Sequence, residues 1–436
     1  MESPTSPSRV SRRRFLQQSS STLAAPAILT AAASLRAAEK ADSAETLRIG
    51  LIGCGGRGTG AANQALGADY NSRLVAVADV FSDQIDTSLN SLSQKFPDRV
   101  TVDDDHRFVG LDAYQKLLNS DVDVVLLATP PGFRPVHLQA TVDAGKHIFC
   151  EKPMAVDALG YHMAMAAVEQ AKKKNINLVA GFCWRYSPSR REAFAQLADG
   201  AIGDVAGIFA TYYGGPAKPM AEAAARTPEM SDVEWQLRNW YNFSYLSGDS
   251  IVEQAVHSID KICWAMGDKP PVECIGTGGR QVPSPGGNIY DHFHAAYDWG
   301  DGIICNLGSR QIKGCDNQVL DVIHGTKGTL TIGKGTAPYI MGEKRWRFRG
   351  EDRNMYDVEH EALFSAIREG KVINDGDRMM LSTLVAILGR EVAYTGKRIT
   401  WEQILASKQD LAPDTLKWGD SFDPGPRPEP GITPFI

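Results

Sequence analysis

The 436-residue sequence predicts an α/β protein: an N-terminal doubly wound parallel sheet, then a C-terminal α/β domain with an open, mostly antiparallel sheet. Three observations lead to this prediction. Apolar runs alternate with helical segments from Leu47 to about residue 186, strand candidates follow one another after residue 187, and a glycine-rich loop follows the first strand. A chain of this length is sufficient for two domains with large cores.

In the N-terminal half, the apolar runs predict buried strands at 47–52, 73–80, 122–128, 147–150 and 177–182. Helical periodicity lies between them at 57–66, 82–95, 111–118, 136–144 and 157–174. Because strands and helices alternate, we expect parallel βαβ units.

In the C-terminal half, strands are predicted at 205–213, 272–278, 292–299, 302–307, 319–324 and 328–332, with Gly-rich turns between several of them. Helices are predicted at 249–266, 359–369 and 378–394. The predicted domains are a signal segment at 1–38, a nucleotide-binding domain at 47–186, a second domain at 187–405 and an extended Pro-rich arm at 406–436.

The N-terminal 38 residues have the features of a cleavable export signal. Arginines at 12–14 precede Phe15 and Leu16, an Ala-rich run follows at 22–35, and Ala37 and Ala38 offer a cleavage point. Paired arginines before Phe-Leu are typical of the twin-arginine route, which exports folded proteins to the periplasm or beyond. The run is too short for a membrane span, so we expect no stable membrane insertion of the mature protein. A disordered basic tail is the alternative.

The charge balance argues against a nucleic-acid partner. The chain has 46 Lys and Arg against 52 Asp and Glu, a net charge of −6. The signal segment contains five arginines and one glutamate, so the mature chain would carry −10. The seven cysteines show no zinc or short disulfide spacing, and we expect mostly buried thiols, with a Cys274–Cys305 disulfide left open.

The glycine-rich loop predicts a dinucleotide site. Gly53-Cys54-Gly55-Gly56-Arg57-Gly58 has the Gly-x-Gly-x-x-Gly spacing after a strand and before a helix, where backbone N–H groups can bind a pyrophosphate. Asp79 ends the next strand, where a carboxylate binds ribose hydroxyls and favours NAD over NADP. Arg57 could still meet a 2′-phosphate, so NADP stays the alternative.

Two further motifs could supply the chemistry. Strand 147–150 runs into Glu151-Lys152-Pro153 at the carboxyl end of a parallel sheet, where ligands bind and where Pro153 favours an extended Lys152. The pattern Glu253-x-x-x-His257-x-x-Asp260 puts an imidazole between two carboxylates on one helix face, and a carboxylate can orient a histidine base. A solvated ion pair and a solvated polar helix face are the alternatives.

Together these motifs resemble the glucose–fructose oxidoreductase/inositol dehydrogenase/rhizopine catabolism (Gfo/Idh/MocA) family, particularly its twin-arginine-exported members. The resemblance runs from Leu47 to about Leu405. It rests on the glycine loop, Asp79, Thr129-Pro130-Pro131 with His137, Glu151-Lys152-Pro153, His257-x-x-Asp260 and Gly325-Thr326-Lys327-Gly328. It implies a Rossmann domain and an α/β domain whose open sheet often forms homo-oligomers.

The resemblance also implies roles for individual residues. Lys152 would hold the reacting hydroxyl oxygen, His257 would be the acid/base, and Glu253 and Asp260 would orient it or bind substrate. The implied cofactor-binding residues are Gly53, Gly55, Gly56, Arg57, Gly58, Asp79, Thr129, Pro130, His137, Glu151 and Lys152. The sequence departs from the family at Glu253, where Asp is common, and at Pro131, where Asn is frequent.

Four other residues are candidates for binding a sugar beside His257: Arg185, Arg238, Trp240 and Tyr241. Helix packing and surface charge are the alternatives for each. His292 and His294 share a strand face, but no third ligand is identifiable, so we expect no metal.

These features predict an NAD(P)-dependent oxidoreductase that acts on a sugar, cyclitol or related polyol. Free cofactor is expected to be scarce outside the cytoplasm, so we expect an exported enzyme to keep NAD tightly bound. One alternative is an NAD-dependent glycoside hydrolase that works by transient oxidation and elimination. A non-catalytic sugar- or nucleotide-binding protein is the other.

Overall fold

The structure is a computed structural model that describes residues 45–413 and 416–436. The predicted signal segment at 1–38 lies outside the described residues. Within them, no helix combines the length and apolar character needed to cross a membrane. The predicted α/β fold class, with one parallel and one mostly antiparallel sheet, is confirmed.

The first sheet has six parallel strands in the order β3-β2-β1-β4-β5-β6. The strands are β1 Leu47–Ile52, β2 Ser72–Asp79, β3 Arg107–Val109, β4 Val124–Leu127, β5 His147–Cys150 and β6 Leu178–Ala180. The connecting helices are α1 Gly56–Ala68, α2 Ser82–Lys95, α3 Ala113–Leu118, α4 Arg134–Asp143 and α5 Ala158–Lys173. Strand β4 is buried throughout, as expected where helices cover both faces of a sheet.

The second sheet has nine strands in the order β14-β13-β12-β11-β7-β10-β9-β8-β15. The strands are β7 Val205–Gly214, β8 Glu273–Gly279, β9 His292–Asp298, β10 Ile304–Gln311, β11 Gln318–Gly325, β12 Gly328–Gly333, β13 Tyr339–Gly342, β14 Trp346–Arg347 and β15 Ile399–Thr400. Neighbours are antiparallel except β7 and β10, which pair in parallel.

Within the described residues, the C-terminal half also contains seven α-helices: α6 Pro188–Ala198, α7 Asp232–Arg238, α8 Ser244–Ser247, α9 Val256–Ala265, α10 Met355–Arg368, α11 Gly376–Thr395 and α12 Trp401–Ala406. Helix α11 is buried along most of its length and packs against both α5 and β8. The backbone N–H of Met154 donates to Thr383 Oγ1 of this helix. One hydrophobic core therefore runs through both halves.

The segment after residue 416 contains no helix or strand and lies against the C-terminal half. Tyr290 donates its hydroxyl to the carbonyl of Pro428, and the N–H of Gly431 donates to the carbonyl of Thr395. Hydrogen bonds from the rest of the chain therefore hold the proline-rich end in place.

All seven cysteines are free thiols. Cys274 on β8 and Cys305 on β10 both pair with Tyr297 of β9, so an entire strand separates them. Two strand spacings exceed the reach of a disulfide. The disulfide left open by the sequence does not form.

Candidate active site

The turn between β1 and α1 depends on two glycines. Gly53 has φ +96°, and a Cβ there would lie 2.7 Å from the carbonyl carbon of Ala128. A Cβ on Gly58 would lie 1.8 Å from the carbonyl oxygen of Gly53. Only glycine permits both the left-handed backbone and the close approach of helix and strand.

Gly55 and Gly56, by contrast, face open space. A Cβ on Gly55 would meet only Gln84, at 3.9 Å, and one on Gly56 would meet nothing within 4 Å. Gly55 precedes the first turn of α1, which has no side-chain cap. Gly55 and Gly56 line a cavity of about 340 Å³, here called the glycine-loop cavity, and Asp79, Thr129 and His137 also line it. The uncapped helix N-terminus and the space beside it fit a dinucleotide pyrophosphate.

Asp79 ends β2 at this cavity. Its carboxylate accepts hydrogen bonds from the backbone N–H groups of Cys54, at 2.6 Å, and Phe81, at 3.0 Å. Burial raises the pKa of Asp79, while these N–H groups oppose the rise. The carboxylate is thus fixed at the rim of the cavity, where a ribose would meet it.

Thr129 and His137 form another wall of the same cavity, next to Pro130. Thr129 Oγ1 lies 3.1 Å from His137 Nδ1, and the imidazole stacks on Phe133. Burial lowers the pKa of His137 to about 3, and Arg134 adds to this effect. His137 is therefore neutral at physiological pH.

Arg57 is partly exposed and is held by two neighbours. Its guanidinium forms an ion pair with Glu151 and lies over the ring of Tyr356, 4.9 Å from the ring centroid. This residue therefore connects the glycine loop to β5 and to α10.

Lys152 projects from the end of β5 into a second cavity of about 940 Å³, here called the central cavity, which Glu253 and His257 also line. Its ammonium donates to Glu253 Oε1 at 2.9 Å and to the Glu253 carbonyl oxygen. Both side chains are nearly buried. The pair places a fixed positive charge at the cavity wall.

The segment predicted as one helix at 249–266 is a π-helical turn, Ile251–Ala255, followed by α9. A π turn carries an extra residue, and such turns are frequent at functional sites. Here the turn contains Glu253 and leads directly to His257.

His257 is buried, and its Nδ1 has no hydrogen-bond partner within the described part of the chain. Burial lowers its pKa well below the usual value, and the nearby charges of Lys152, Lys261 and Lys334 lower it further. The imidazole is therefore neutral at physiological pH and available as a proton acceptor.

Asp260 and Arg185 are not brought to either cavity. Arg185 Nε donates to Asp260 at 2.9 Å, Arg185 Nη2 donates to Asp268 at 2.6 Å, and Ser382 donates to Asp260 at 2.8 Å. No contact therefore supports the predicted substrate-binding role of Arg185 or the predicted action of Asp260 on His257. A buried guanidinium needs an opposite charge or hydrogen-bond acceptors, and Asp260 supplies both to Arg185.

The other predicted substrate residues lie at the two cavities. Arg238 lies at the glycine-loop cavity, 4.0 Å from the ring centroid of Phe81. Tyr241 lines the central cavity and accepts a hydrogen bond from Gln311 Nε2 at 2.7 Å. Trp240 lines both cavities, as do Arg57, Ala128, Thr129 and Lys218. The two cavities therefore meet along a shared wall.

The central cavity is also lined by two segments, 334–337 and 348–356, that the sequence motifs did not indicate. Asp352 in the second segment accepts hydrogen bonds from Ser189 Oγ and Arg190 Nη1, both at 2.7 Å. The segments are remote in sequence from Lys152, and no local pattern marks them as functional.

His292 and His294 lie on strand β9, outside both cavities. His292 Nδ1 lies 2.8 Å from the carboxylate of Asp291. Across residues 45–413 and 416–436, no group of three or more potential metal-binding side chains is present.

Two family models match the chain. The first, described as "Oxidoreductase family, NAD-binding Rossmann fold", matches residues 47–182, and the second, described as "Oxidoreductase family, C-terminal alpha/beta domain", matches residues 195–388. The chain belongs to the Gfo/Idh/MocA oxidoreductase family. The resemblance to this family inferred from the sequence motifs is confirmed.

Individual members show both sequence and fold similarity. The inositol 2-dehydrogenase of Rhizobium meliloti (strain 1021) is 26% identical over 349 residues, which span 76% of this chain and 93% of the relative. A levoglucosan dehydrogenase in complex with NADH and levoglucosan has a TM-score of 0.65 at 18% identity, covering 82% of this chain and 99% of that one. An aldose-aldose oxidoreductase from Caulobacter crescentus also has a TM-score of 0.65, at 20% identity, covering 82% of this chain and 100% of the other.

Proposed function

We propose that the protein transfers hydride between NAD(P) and a hydroxyl-bearing carbon of a sugar, cyclitol or related polyol, with Lys152 and His257 at the reacting centre. One observation carries the proposal: both side chains line the central cavity, which shares a wall with the glycine-loop cavity. A substrate carbon beside that wall is within reach of a cofactor held by the glycine loop.

The residues have complementary tasks. When bound, NAD(P) supplies the hydride acceptor or donor. Lys152, fixed by Glu253, stabilises negative charge that develops on the reacting oxygen. His257 accepts the hydroxyl proton, because its lowered pKa keeps the imidazole neutral.

We propose NAD as the physiological cofactor, held by Gly55, Gly56 and Asp79 with Thr129 and His137 beside it. The carboxylate of Asp79 favours a ribose hydroxyl over a 2′-phosphate. The polyol substrate class is supported by the inositol 2-dehydrogenase relative and by the levoglucosan complex.

We further propose that the chain is exported by the twin-arginine route with its cofactor tightly bound. The support is the Arg-Arg-Phe-Leu order at residues 13–16, because this route transports folded proteins.

We also propose that the mature protein forms a homo-oligomer through the C-terminal sheet. Phe209, Asn306, Ala296 and Ile275 pair across four adjacent strands, and Phe209 and Ile275 are 46% and 44% exposed. Large apolar side chains exposed on the same face of a sheet support an interface there.

The test begins with mass spectrometry of nucleotide released from the purified, denatured protein. The protein is then assayed against polyols and glycosides, with NADH absorbance and glycoside cleavage followed together. Lys152→Ala and His257→Ala should each abolish turnover, while Lys116→Ala, at an exposed lysine that lines neither cavity, should not. Undiminished activity in the first two variants would refute the proposed centre. Glycoside cleavage without net NADH would indicate the hydrolase instead, and absence of nucleotide would contradict tight binding.

A further inference from the structure

We infer that the substrate of the central cavity carries an oxyanion, a carboxylate or a phosphate or sulfate ester, which Lys334 and Arg349 bind. This inference rests on the proposed function and names the substrate class more narrowly. Its basis is the charge of the cavity wall and the way in which two loops are held.

The wall is strongly basic although the chain is acidic. Eight Lys and Arg side chains line the cavity against three Asp and Glu, whereas the whole chain has a net charge of −6. A cleft lined by one sign of charge concentrates ligands of the opposite sign.

Most of these cations already have an ion-pair or hydrogen-bond partner in the protein. The three wall carboxylates each pair with one wall cation. Arg353 pairs with Glu361, and Arg134 donates to the backbone carbonyl oxygens of residues 151 and 153. Lys218, Lys334 and Arg349 have no carboxylate partner within the described residues.

Lys334 and Arg349 lie on segments that one buried side chain holds together. Arg190 Nη1 donates to Asp352 at 2.7 Å, and Arg190 Nη2 donates to the carbonyl oxygen of Gly333 at 2.9 Å. The two cations are therefore carried next to fixed points on the same side of the cavity. The backbone that carries the two cations is held in place, and their exposed side chains can turn to an anion in the cavity.

The basic wall also reaches the proposed reacting centre. Burial lowers the pKa of His257, and nearby cations that include Lys334 lower it further. The ammonium of Lys334 is therefore within electrostatic range of the imidazole. The ammonium of Lys218 lies 5.3 Å from the ring centroid of Trp240. Burial lowers the pKa of Lys218, and the charge of Glu253 partly opposes this effect. An acidic sugar would form ion pairs with these charges, whereas a neutral sugar would leave them to solvent.

The experiment measures binding, so it does not depend on turnover. Isothermal titration calorimetry is carried out on the full chain in the presence of NAD. The ligands are three neutral hexoses, glucose, galactose and mannose, each compared with its own uronate and its own 6-phosphate. We expect at least one acidic member to bind at least tenfold more tightly than its neutral parent, and added salt to reduce that advantage. Preference for the uronate or for the phosphate distinguishes the two sources of the anion.

Variants locate the contact. Lys334→Ala and Arg349→Ala should each reduce the acid-to-neutral affinity ratio about fivefold or more, and Lys334→Arg should retain it. Lys344→Ala, an exposed lysine outside both cavities, is the matched control. Equal affinities within all sets, or an unchanged ratio in both alanine variants, overturns the inference. Acid-selective binding without turnover of any sugar contradicts the proposed function and not this inference.

Discussion

The ammonium of Lys152 lies 2.9 Å from a carboxylate oxygen of Glu253, and both side chains are nearly buried although 101 positions separate them in the chain. The pair joins the end of the parallel sheet to the π turn that precedes His257. Several properties of the protein follow from contacts of this kind.

The first prediction concerns Glu253. Glu253→Gln removes the charge that neutralises Lys152 but keeps a hydrogen-bond acceptor, and we expect kcat to fall at least tenfold because the ion pair that holds the ammonium is lost. Glu253→Asp keeps the charge on a side chain one methylene shorter, so it should lose less. Steady-state kinetics and thermal unfolding together test this, and equal kcat in the wild type and the Gln variant would contradict it.

Asp79 should control cofactor choice. Asp79→Asn keeps an acceptor for the N–H groups of Cys54 and Phe81 but removes the charge that repels a 2′-phosphate. We expect the ratio of kcat/KM for NAD over NADP to fall about tenfold or more. Asp86→Asn, on the exposed side of α2, serves as the control. A ratio unchanged by Asp79→Asn would show that this carboxylate does not select the cofactor.

Arg185 should be structural. Arg185→Met leaves the fully buried Asp260 without its cation, and breaking a buried pair costs about 3–5 kcal/mol. The folded fraction should keep its KM, because Arg185 lies outside both cavities. Arg226→Met, at an exposed pair with Asp232, should cost less than about 1 kcal/mol in the free energy of unfolding. A raised KM with unchanged stability would instead support the predicted substrate-binding role of Arg185.

Stability should fall as the pH is lowered below about 6.5, in part because of His137. Burial lowers its pKa from 6.5 to about 3, so the unfolded chain gains a proton in this range while the folded protein does not. Linkage gives a loss of about 2 kcal/mol between pH 7.5 and pH 5 from this residue. His137→Phe should reduce the pH dependence by that amount in denaturant unfolding. Buried carboxyls with raised pKa values, such as Asp249, act in the opposite direction, so the difference between the two proteins is the informative quantity.

The exposed face of the C-terminal sheet should determine the oligomeric state. Phe209→Glu puts a charge at one end of the row that Phe209 forms with Asn306, Ala296 and Ile275 across four strands. We expect analytical ultracentrifugation to show smaller particles than for the wild type. Ile432→Glu changes an exposed apolar residue of the C-terminal segment and should leave the mass unchanged. A variant of Phe209 with wild-type mass would place the interface elsewhere.

The sequence predicted the parallel sheet well, because buried strands appear as continuous apolar runs between helices. Strands β1 and β5 begin and end where predicted. The short strands β3, β13, β14 and β15 were missed, since two to four residues carry too little pattern. The parallel pairing of β7 and β10 was also missed, because it depends on which strands meet and not on their composition.

The sequence likewise predicted only part of the candidate site. Local motifs identified Lys152 and His257 separately. They could not show that Asp260 turns to Arg185, since that contact joins positions 75 apart. Lys334 and Arg349 carry no motif, and only the fold brings their loops to the cavity.

The position of helix α11 has a consequence for synthesis of the protein. Residues 376–395 fill a space against α5 that belongs to the N-terminal half, and the carboxylate of Asp375 accepts a hydrogen bond from the backbone N–H of Ala180 in β6. A growing chain therefore has no complete core for its first sheet until almost the whole polypeptide has left the ribosome. Chains that stop before residue 376 should expose that apolar surface and depend on chaperones, whereas loss of residues after 416 removes from this core only side chains that pack on its outside, such as Phe435.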